Sequence, residues 1–72
     1  MEQDAIGAVT TVSDTSIALI DQDTGQAETF TADPDMDLFD GVNSGDQVDV
    51  TYHQAANGDV ADAIDDQVWD NN

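Results

Sequence analysis

The stretch Gly45–Tyr52 reads GDQVDVTY and decides the fold of this chain. Val48, Val50 and Tyr52 alternate with polar residues, which is the pattern of a strand that buries one face. The Gly-Asp step that opens the stretch is a turn signal, because glycine adopts backbone conformations that other residues avoid. We therefore expect a half-buried β-strand that follows a tight turn.

Four further short strands are predicted on either side of this one, each bounded by turn residues. The predicted strands are Ile6–Val12, Ser16–Ile20, Gln26–Ala32, Gln47–His53 and a last strand that contains Val60, Ala61, Ala63 and Ile64. The apolar alternation of the first strand breaks between Val9 and Val12, which is typical of a strongly bent strand with a β-bulge. The strongest hairpin signal, Asn57-Gly58, precedes the last strand.

The segment between the third and fourth strands predicts a turn or a single helical turn. Pro34 ends strand pairing because proline has no amide hydrogen, and Asp33 can cap the helical turn. An open sheet of five short strands would leave its edges and one face uncovered. We therefore predict an all-β fold, a small five-stranded OB-like or SH3-like barrel with a short helical turn before strand 4. The predicted core comprises Val9, Val12, Ile17, Leu19, Phe30, Leu38, Val42, Val48, Val50, Tyr52, Val60 and Ile64.

The 72 residues are enough for one domain with a small core. We expect the barrel to span about residues 5–65, followed by a C-terminal tail, 66–72, in which Val68 and Trp69 pack outside the barrel or close one end. The chain has no cysteine, so neither a disulfide nor a Cys-based metal site is possible. No apolar run approaches the length of a membrane span, and no basic-then-apolar signal segment opens the sequence.

Charge is the most unusual property of the composition. Asp and Glu number 17, Lys and Arg are absent, and the formal net charge at pH 7 is −17. Such a surface repels the phosphates of nucleic acids and anionic membranes, which excludes both as partners. We expect a monomer whose partners are solvent cations. The sequence predicts no tightly bound cofactor, but weak association of Na⁺, K⁺, Mg²⁺ or Ca²⁺.

The order of apolar and glycine positions resembles that of small barrel domains of unknown function from the bacterial periplasm. More distantly, it is similar to that of the periplasmic copper chaperones of metal-efflux systems. The resemblance covers about residues 5–65 and implies a barrel in a periplasmic or secreted protein; the cytoplasm of a halophile is the alternative. It rests on Gly7, Val9, Val12, Ile17, Leu19, Phe30, Leu38, Val42, Gly45, Asp46, Val48, Val50 and Tyr52.

The copper site of those chaperones does not carry over to this chain. The resemblance implies a His, two Met and a Trp around the second and third strands, where this chain has Gln22, Gln26, Ala27, Glu28 and Thr29. Met36, His53 and Trp69 lie elsewhere in the sequence.

Glutamine stands where such barrels usually carry lysine. The positions concerned are Gln22, Gln26 and Gln47, and Gln3, Gln54 and Gln67 are at similarly exposed positions. At a typical usage a chain of this length would hold about seven Lys and Arg residues. Our hypothesis is that Lys was systematically replaced by Gln and Asp, either by design or by selection for brine.

Two acid-rich turns are candidate metal sites. Asp21, Asp23 and Gly25 have the spacing that opens a calcium loop, but no Glu occupies the twelfth position. Asp33, Asp35 and Asp37 have the first spacings of such a loop without its required glycine. We expect weak, non-specific cation binding at Asp21, Asp23, Asp33, Asp35 and Asp37.

No constellation in the sequence predicts catalysis. His53 is expected on an exposed strand face, and metal ligation or general base catalysis by this residue would need partners. No apolar pocket is predicted that would separate the pKa values of acid pairs such as Asp37 and Asp40, or Asp65 and Asp66. We therefore expect a non-enzymatic, salt-adapted barrel whose folding depends on screening cations. The alternative is an acidic binding module, either a carrier of divalent cations or a nucleic-acid mimic that binds a basic protein.

Overall fold

β1 (Gln3–Val12) pairs with β4 (Gln47–Ala55) along its first half and with β2 (Ser16–Asp21) along its second half. The other strands are β3 (Ala27–Thr31) and β5 (Gly58–Gln67). The computed structural model describes residues 2–67, with the side chains of 66 and 67 left aside. These residues form a closed barrel in the order β1-β2-β3-β5-β4.

The strand pairing identifies the barrel as OB-like and resolves the choice between the two predicted strand orders. Four strand pairs are antiparallel, whereas β3 and β5 run parallel and are joined at Thr31 and Val60. A five-stranded Greek-key barrel with this arrangement is the OB fold. The predicted all-β barrel is therefore confirmed, together with its helical turn before β4, a 3-10 helix at Pro34–Met36.

The predicted bulge in β1 is confirmed, and the turn before β4 forms hydrogen bonds with the strand at this point. The β1–β2 register shifts between Val9 and Thr11. At this point the Val9 amide donates to the Asp46 carbonyl at 2.9 Å, and the Gly45 amide donates to the Val9 carbonyl at 2.7 Å. The turn before β4 is thereby attached to the bent half of β1.

Gly7 permits the close approach of β2 to β1. A Cβ atom at this position would lie 2.0 Å from the carbonyl oxygen of Ile20. No side chain fits at that distance, so Gly7 is required by packing and not by an unusual backbone angle.

The core agrees with the prediction along β1 to β4 and departs from it in β5. Most predicted core residues are buried or pack against the core, but Val60 is half-buried opposite His53 on the neighbouring strand. A register shift in the β4–β5 pair, between Thr51 and Tyr52, explains why alternation along β5 does not indicate its buried face. The sequence did not predict that Ala5, Ala32, Phe39 and Ala61 are also buried.

The predicted turns are present, with one displacement. Gly25 has a φ of 74°, as expected for the β2–β3 hairpin. The Asn57-Gly58 signal marks the correct hairpin, but the turn residues are Ala56 and Asn57, and Gly58, with a φ of 128°, begins β5. β5 continues to Gln67, slightly beyond the predicted barrel limit, whereas Val68 and Trp69 lie outside the described residues.

Candidate functional site

The acids of the β2–β3 turn stabilise the turn itself. The Asp21 carboxylate accepts a hydrogen bond from the Asp23 amide at 2.7 Å, and the Gly25 amide donates to the Asp21 carbonyl at 2.7 Å. Asp residues favour such turns because their short side chains reach the backbone two residues ahead. Asp21 therefore stabilises the turn, whether or not a cation binds to it.

The second acid-rich turn has a similar local function. Asp33 is the N-cap of the 3-10 helix, and its carboxylate accepts from the Asp35 amide at 3.0 Å. Asp37 ends that helix in the left-handed conformation, with a φ of 50°. Within residues 2–67, no group of three or more His, Asp or Glu side chains has a geometry that could hold a metal ion. The weak cation binding predicted for these turns stays a prediction.

A cluster of acids lies on the faces of β1, β4 and β5. Asp49 on β4 is directly opposite Asp65 on β5. Burial raises the pKa of Asp49 above its ordinary value of 3.8, and repulsion from Asp4 and then Asp65 adds to the increase. One Asp49 carboxylate oxygen is buried and has no hydrogen-bond partner among the described residues. Asp4 accepts a hydrogen bond from the Thr51 hydroxyl at 3.2 Å.

A second cluster surrounds Glu28 on β3. Burial is the largest cause that raises the pKa of Glu28 above its ordinary value of 4.5, followed by repulsion from Asp21 and Asp59. The carboxylate also has a buried oxygen without a hydrogen-bond partner in the described part of the chain. Burial together with the charges of Glu28, Asp59 and Asp21 raises the pKa of Tyr52, whose ring packs on Phe30 with centroids 4.7 Å apart.

His53 has a partner that the sequence did not predict. Its Nδ1 atom lies 2.8 Å and 3.0 Å from the two carboxylate oxygens of Asp62. Asp62 falls at the register shift of the β4–β5 pair, between Ala61 and Ala63, which are opposite Tyr52 and Thr51. The two side chains are 41% and 32% exposed, and they form an ion pair when His53 is protonated.

A groove with a volume of about 210 Å³ lies between the β1–β2 turn and the segment before β4. Val12, Phe39 and Val42 supply its apolar lining, and Phe39 is 5% exposed. Three aspartates and small residues complete it: Ser13, Asp14, Asp37, Asp40 and Gly41. Asp37 and Asp40, which the sequence suggested as a pair, are thus brought to one groove.

The two acid clusters concentrate negative charge. Asp49 and Asp65 face each other across neighbouring strands, Glu28 is repelled by Asp21 and Asp59, and a nearby cation would lower both repulsions. These clusters could not be recognised in the sequence alone, because the pairing of the strands determines which acids lie close together. The alternation of β4 places Asp49 on the outer face, but its opposition to Asp65 depends on the hairpin register. Among residues 2–67, no helix has the length and apolar character needed to cross a membrane.

Comparisons with known proteins show the fold of the chain. The structure is similar to the crystal structure of Ag(I)CusF, with a TM-score of 0.73 and 17% sequence identity. The similarity covers 93% of this chain and 99% of that chain. No protein-family model matches the sequence. No curated protein matches it significantly.

The predicted resemblance to a small metal-carrying barrel is therefore confirmed at the level of the fold. The ligands that the resemblance implied are absent from the corresponding strands, since β2 and β3 contain no His, Met or Trp. At this sequence identity, what Ag(I)CusF binds gives no information on what this chain binds.

Proposed function

We propose that this chain is a non-enzymatic, salt-adapted barrel whose folding depends on screening cations. The observation that carries the proposal is the direct opposition of Asp49 and Asp65 across β4 and β5, with Asp4 nearby. Opposed like charges in a sheet destabilise it, whereas most cross-strand pairs in proteins stabilise. In a chain without Lys or Arg, no such side chain offsets this repulsion at neutral pH, and solvent cations take that role.

The magnitude of the repulsion supports salt dependence. Each close pair of exposed like charges costs about 0.2–1 kcal/mol, and small domains have only about 5–15 kcal/mol of total stability. Repulsion of Glu28 by Asp21 and Asp59 destabilises the folded state in addition to the repulsion around Asp49. Folding also brings acids of neighbouring strands closer together, as with Asp49 and Asp65, so the folded state would retain more cations than the unfolded chain. Added salt then favours the folded state by mass action.

The Gln residues support the hypothesis that Lys was replaced, by selection or by design. Gln54 on β4 is directly opposite Asp59 on β5. A Lys at this position would form a cross-strand ion pair of ordinary type. We expect Gln54→Lys to stabilise the barrel by about 0.2–1 kcal/mol in low salt, with Gln54→Met as an uncharged control of similar length. Equal stabilities of the two variants would contradict this part of the proposal.

The alternative function is an acidic binding module, a divalent-cation carrier or the partner of a basic protein. The Asp-rich turns with Asp21, Asp23, Asp33, Asp35 and Asp37 are where a divalent cation would bind. A divalent-cation carrier would bind its cation saturably, whereas screening depends only on the ionic strength.

By its resemblance to periplasmic barrels the chain acts in the periplasm or outside the cell, and the cytoplasm of a halophile is the other location compatible with its charge.

Circular dichroism across NaCl, KCl and MgCl₂ tests the proposal. We expect cooperative folding to increase gradually up to molar NaCl or KCl, with similar curves for the two monovalent salts, because screening depends on ionic strength. Complete folding at low salt would contradict the proposal. Saturation at micromolar Mg²⁺ would contradict it as well and favour the cation carrier.

A further inference from the structure

The outer side of β1, β2 and β3 has two rows of residues without an acid, which we call the acid-free face. The face consists of Ala8, Ile20 and Ala27 in the first row and Thr11, Ala18 and Thr29 in the second. In each row the residue on β2 is the direct partner of the other two. Ala18 and Ile20 flank the fully buried Leu19 on β2, so both rows are on the outside of the barrel.

Strand propensity does not explain why this face has no acid, because the outer side of β4 and β5 has several. Asp49 and Asp65 are opposite each other there, and Asp62 contacts His53. The two sides belong to the same barrel and are built from the same kind of strand. In a chain with 17 acids among 72 residues, the acids are therefore distributed unevenly between the two sides.

The acid-free face presents apolar surface to solvent. Ile20 is 38% exposed, although large aliphatic residues of a strand are usually buried. Ala8 and Ala27, on either side of it, are exposed as well. Ala18 is half-buried and has a much smaller side chain than Ile20. The middle of the first row is thus a protrusion, and the middle of the second row is a shallow depression.

We propose that two copies of this chain pair through their acid-free faces. A two-fold axis that runs across the strands between the two rows places Ile20 of each copy over Ala18 of the other. The protrusion of one copy then fills the depression of the other, and the contact is self-complementary, as a two-fold interface must be. A second copy suits this face better than a basic protein does, because the face has no carboxylate with which Lys or Arg could pair.

The ionic strength determines whether the pair forms. Two chains with a formal net charge of −17 repel each other in dilute salt, so we expect a monomer there. At 1 M salt the Debye length is about 3 Å, which screens the acids around the face but leaves the apolar contact intact. The contact area is at the low end for specific interfaces, so we expect a dissociation constant between about 10 µM and about 1 mM.

Sedimentation equilibrium in about 2 M NaCl tests the proposal over chain concentrations from about 10 µM to about 1 mM. We expect a monomer–dimer equilibrium whose mass does not exceed that of two copies. A monomer over the whole range would overturn the proposal, and so would aggregates of undefined size. If the chain also folds in dilute salt, the proposed function fails but this test is unchanged, so the two proposals fail separately.

Matched variants locate the contact. Ala27→Asp places an acid on the acid-free face and should weaken pairing at least about ten-fold, whereas Ala63→Asp places one at an exposed alanine of β5 and should leave pairing unchanged. Ile20→Thr adds no charge and keeps a β-branched side chain, and it should also weaken pairing at least about ten-fold. Equal effects of the two Asp variants, or undiminished pairing of Ile20→Thr, would overturn the proposal.

Discussion

Asp49 and Asp65 lie directly opposite each other on neighbouring antiparallel strands of the barrel. In most sheets such a position holds a stabilising pair, but here both residues carry the same charge, and Asp4 adds a third. If the proposed function is correct, this pair makes the stability of the β4–β5 hairpin depend on the ionic composition of the solvent.

Neutralising Asp49 should stabilise the barrel in low salt. We expect Asp49→Asn to raise the free energy of unfolding by about 0.5–1 kcal/mol, because it removes the repulsion from Asp65 and Asp4. Urea unfolding measures the change, since urea does not alter the ionic strength. The control Asp23→Asn removes one charge from an exposed turn and should have a smaller effect. A gain that persists undiminished in molar NaCl would show that repulsion is not its cause, because salt screens the repulsion but not the cost of burying the Asp49 carboxylate.

Mild acidification should also stabilise the barrel. The folded-state pKa values of Glu28 and Asp49 are raised above the ordinary 4.5 and 3.8. Between the ordinary and the raised values the folded state therefore binds more protons than the unfolded chain, so stability rises as pH falls from 7 toward that range. Urea midpoints at constant low NaCl should increase from pH 7 to pH 5.

The variant Glu28→Gln with Asp49→Asn identifies the groups responsible for this trend. Its midpoint should rise less between pH 7 and pH 5 than that of the original chain. A lower midpoint at pH 5 than at pH 7 in the original chain would refute the dominance of repulsion. An identical rise in the variant would assign the effect to other carboxyls.

The His53–Asp62 contact should stabilise the β4–β5 hairpin. The Nδ1 atom of His53 lies 2.8 Å from an Asp62 carboxylate oxygen, so replacing either side chain removes a contact between the two strands. A double-mutant cycle with His53→Gln and Asp62→Asn, measured by urea unfolding, should give a coupling of about 0.5–1 kcal/mol. A coupling near zero would mean that the contact does not stabilise the barrel.

Gly7→Ala should destabilise the barrel whatever the salt concentration. The added Cβ would lie 2.0 Å from the Ile20 carbonyl oxygen, so β2 must move away from β1. We expect a loss of at least about 2 kcal/mol in molar NaCl. At Gly25 a Cβ meets open space but the φ is +74°, so Gly25→Ala should cost only about 1 kcal/mol. A smaller cost at Gly7 than at Gly25 would contradict the packing argument.

The sequence predicted those features of the fold that local patterns determine. The alternation of Val48 and Val50, the break after Val9 and the capping residue Asp33 each reflect geometry within a few residues. The identity of the strand partners required long-range information, so OB-like and SH3-like orders could not be separated. The burial of Phe39 was not predicted, because it depends on how the turn before β4 folds back onto the barrel.

The candidate site was less predictable because its residues meet across strands. A hairpin centred one residue later would have changed every partner along β5, and the register shift beside Asp62 could not be derived from the pattern. The contact of His53 with Asp62 and the opposition of Asp49 to Asp65 both depend on that register. The acids of the two turns, by contrast, were found by spacing alone, and local spacing explains their hydrogen bonds.

The most direct test of cation-dependent folding is urea unfolding at about 0.05 M and about 2 M NaCl, since the Debye length falls to about 3 Å by 1 M salt. The chain is compared with the variant in which Glu28→Gln, Asp49→Asn and Asp65→Asn remove acids of both clusters. We predict that the free energy of unfolding rises by at least about 2 kcal/mol for the original chain and by clearly less for the variant. The same free energy at both NaCl concentrations, or an equal rise in the two proteins, would contradict the account.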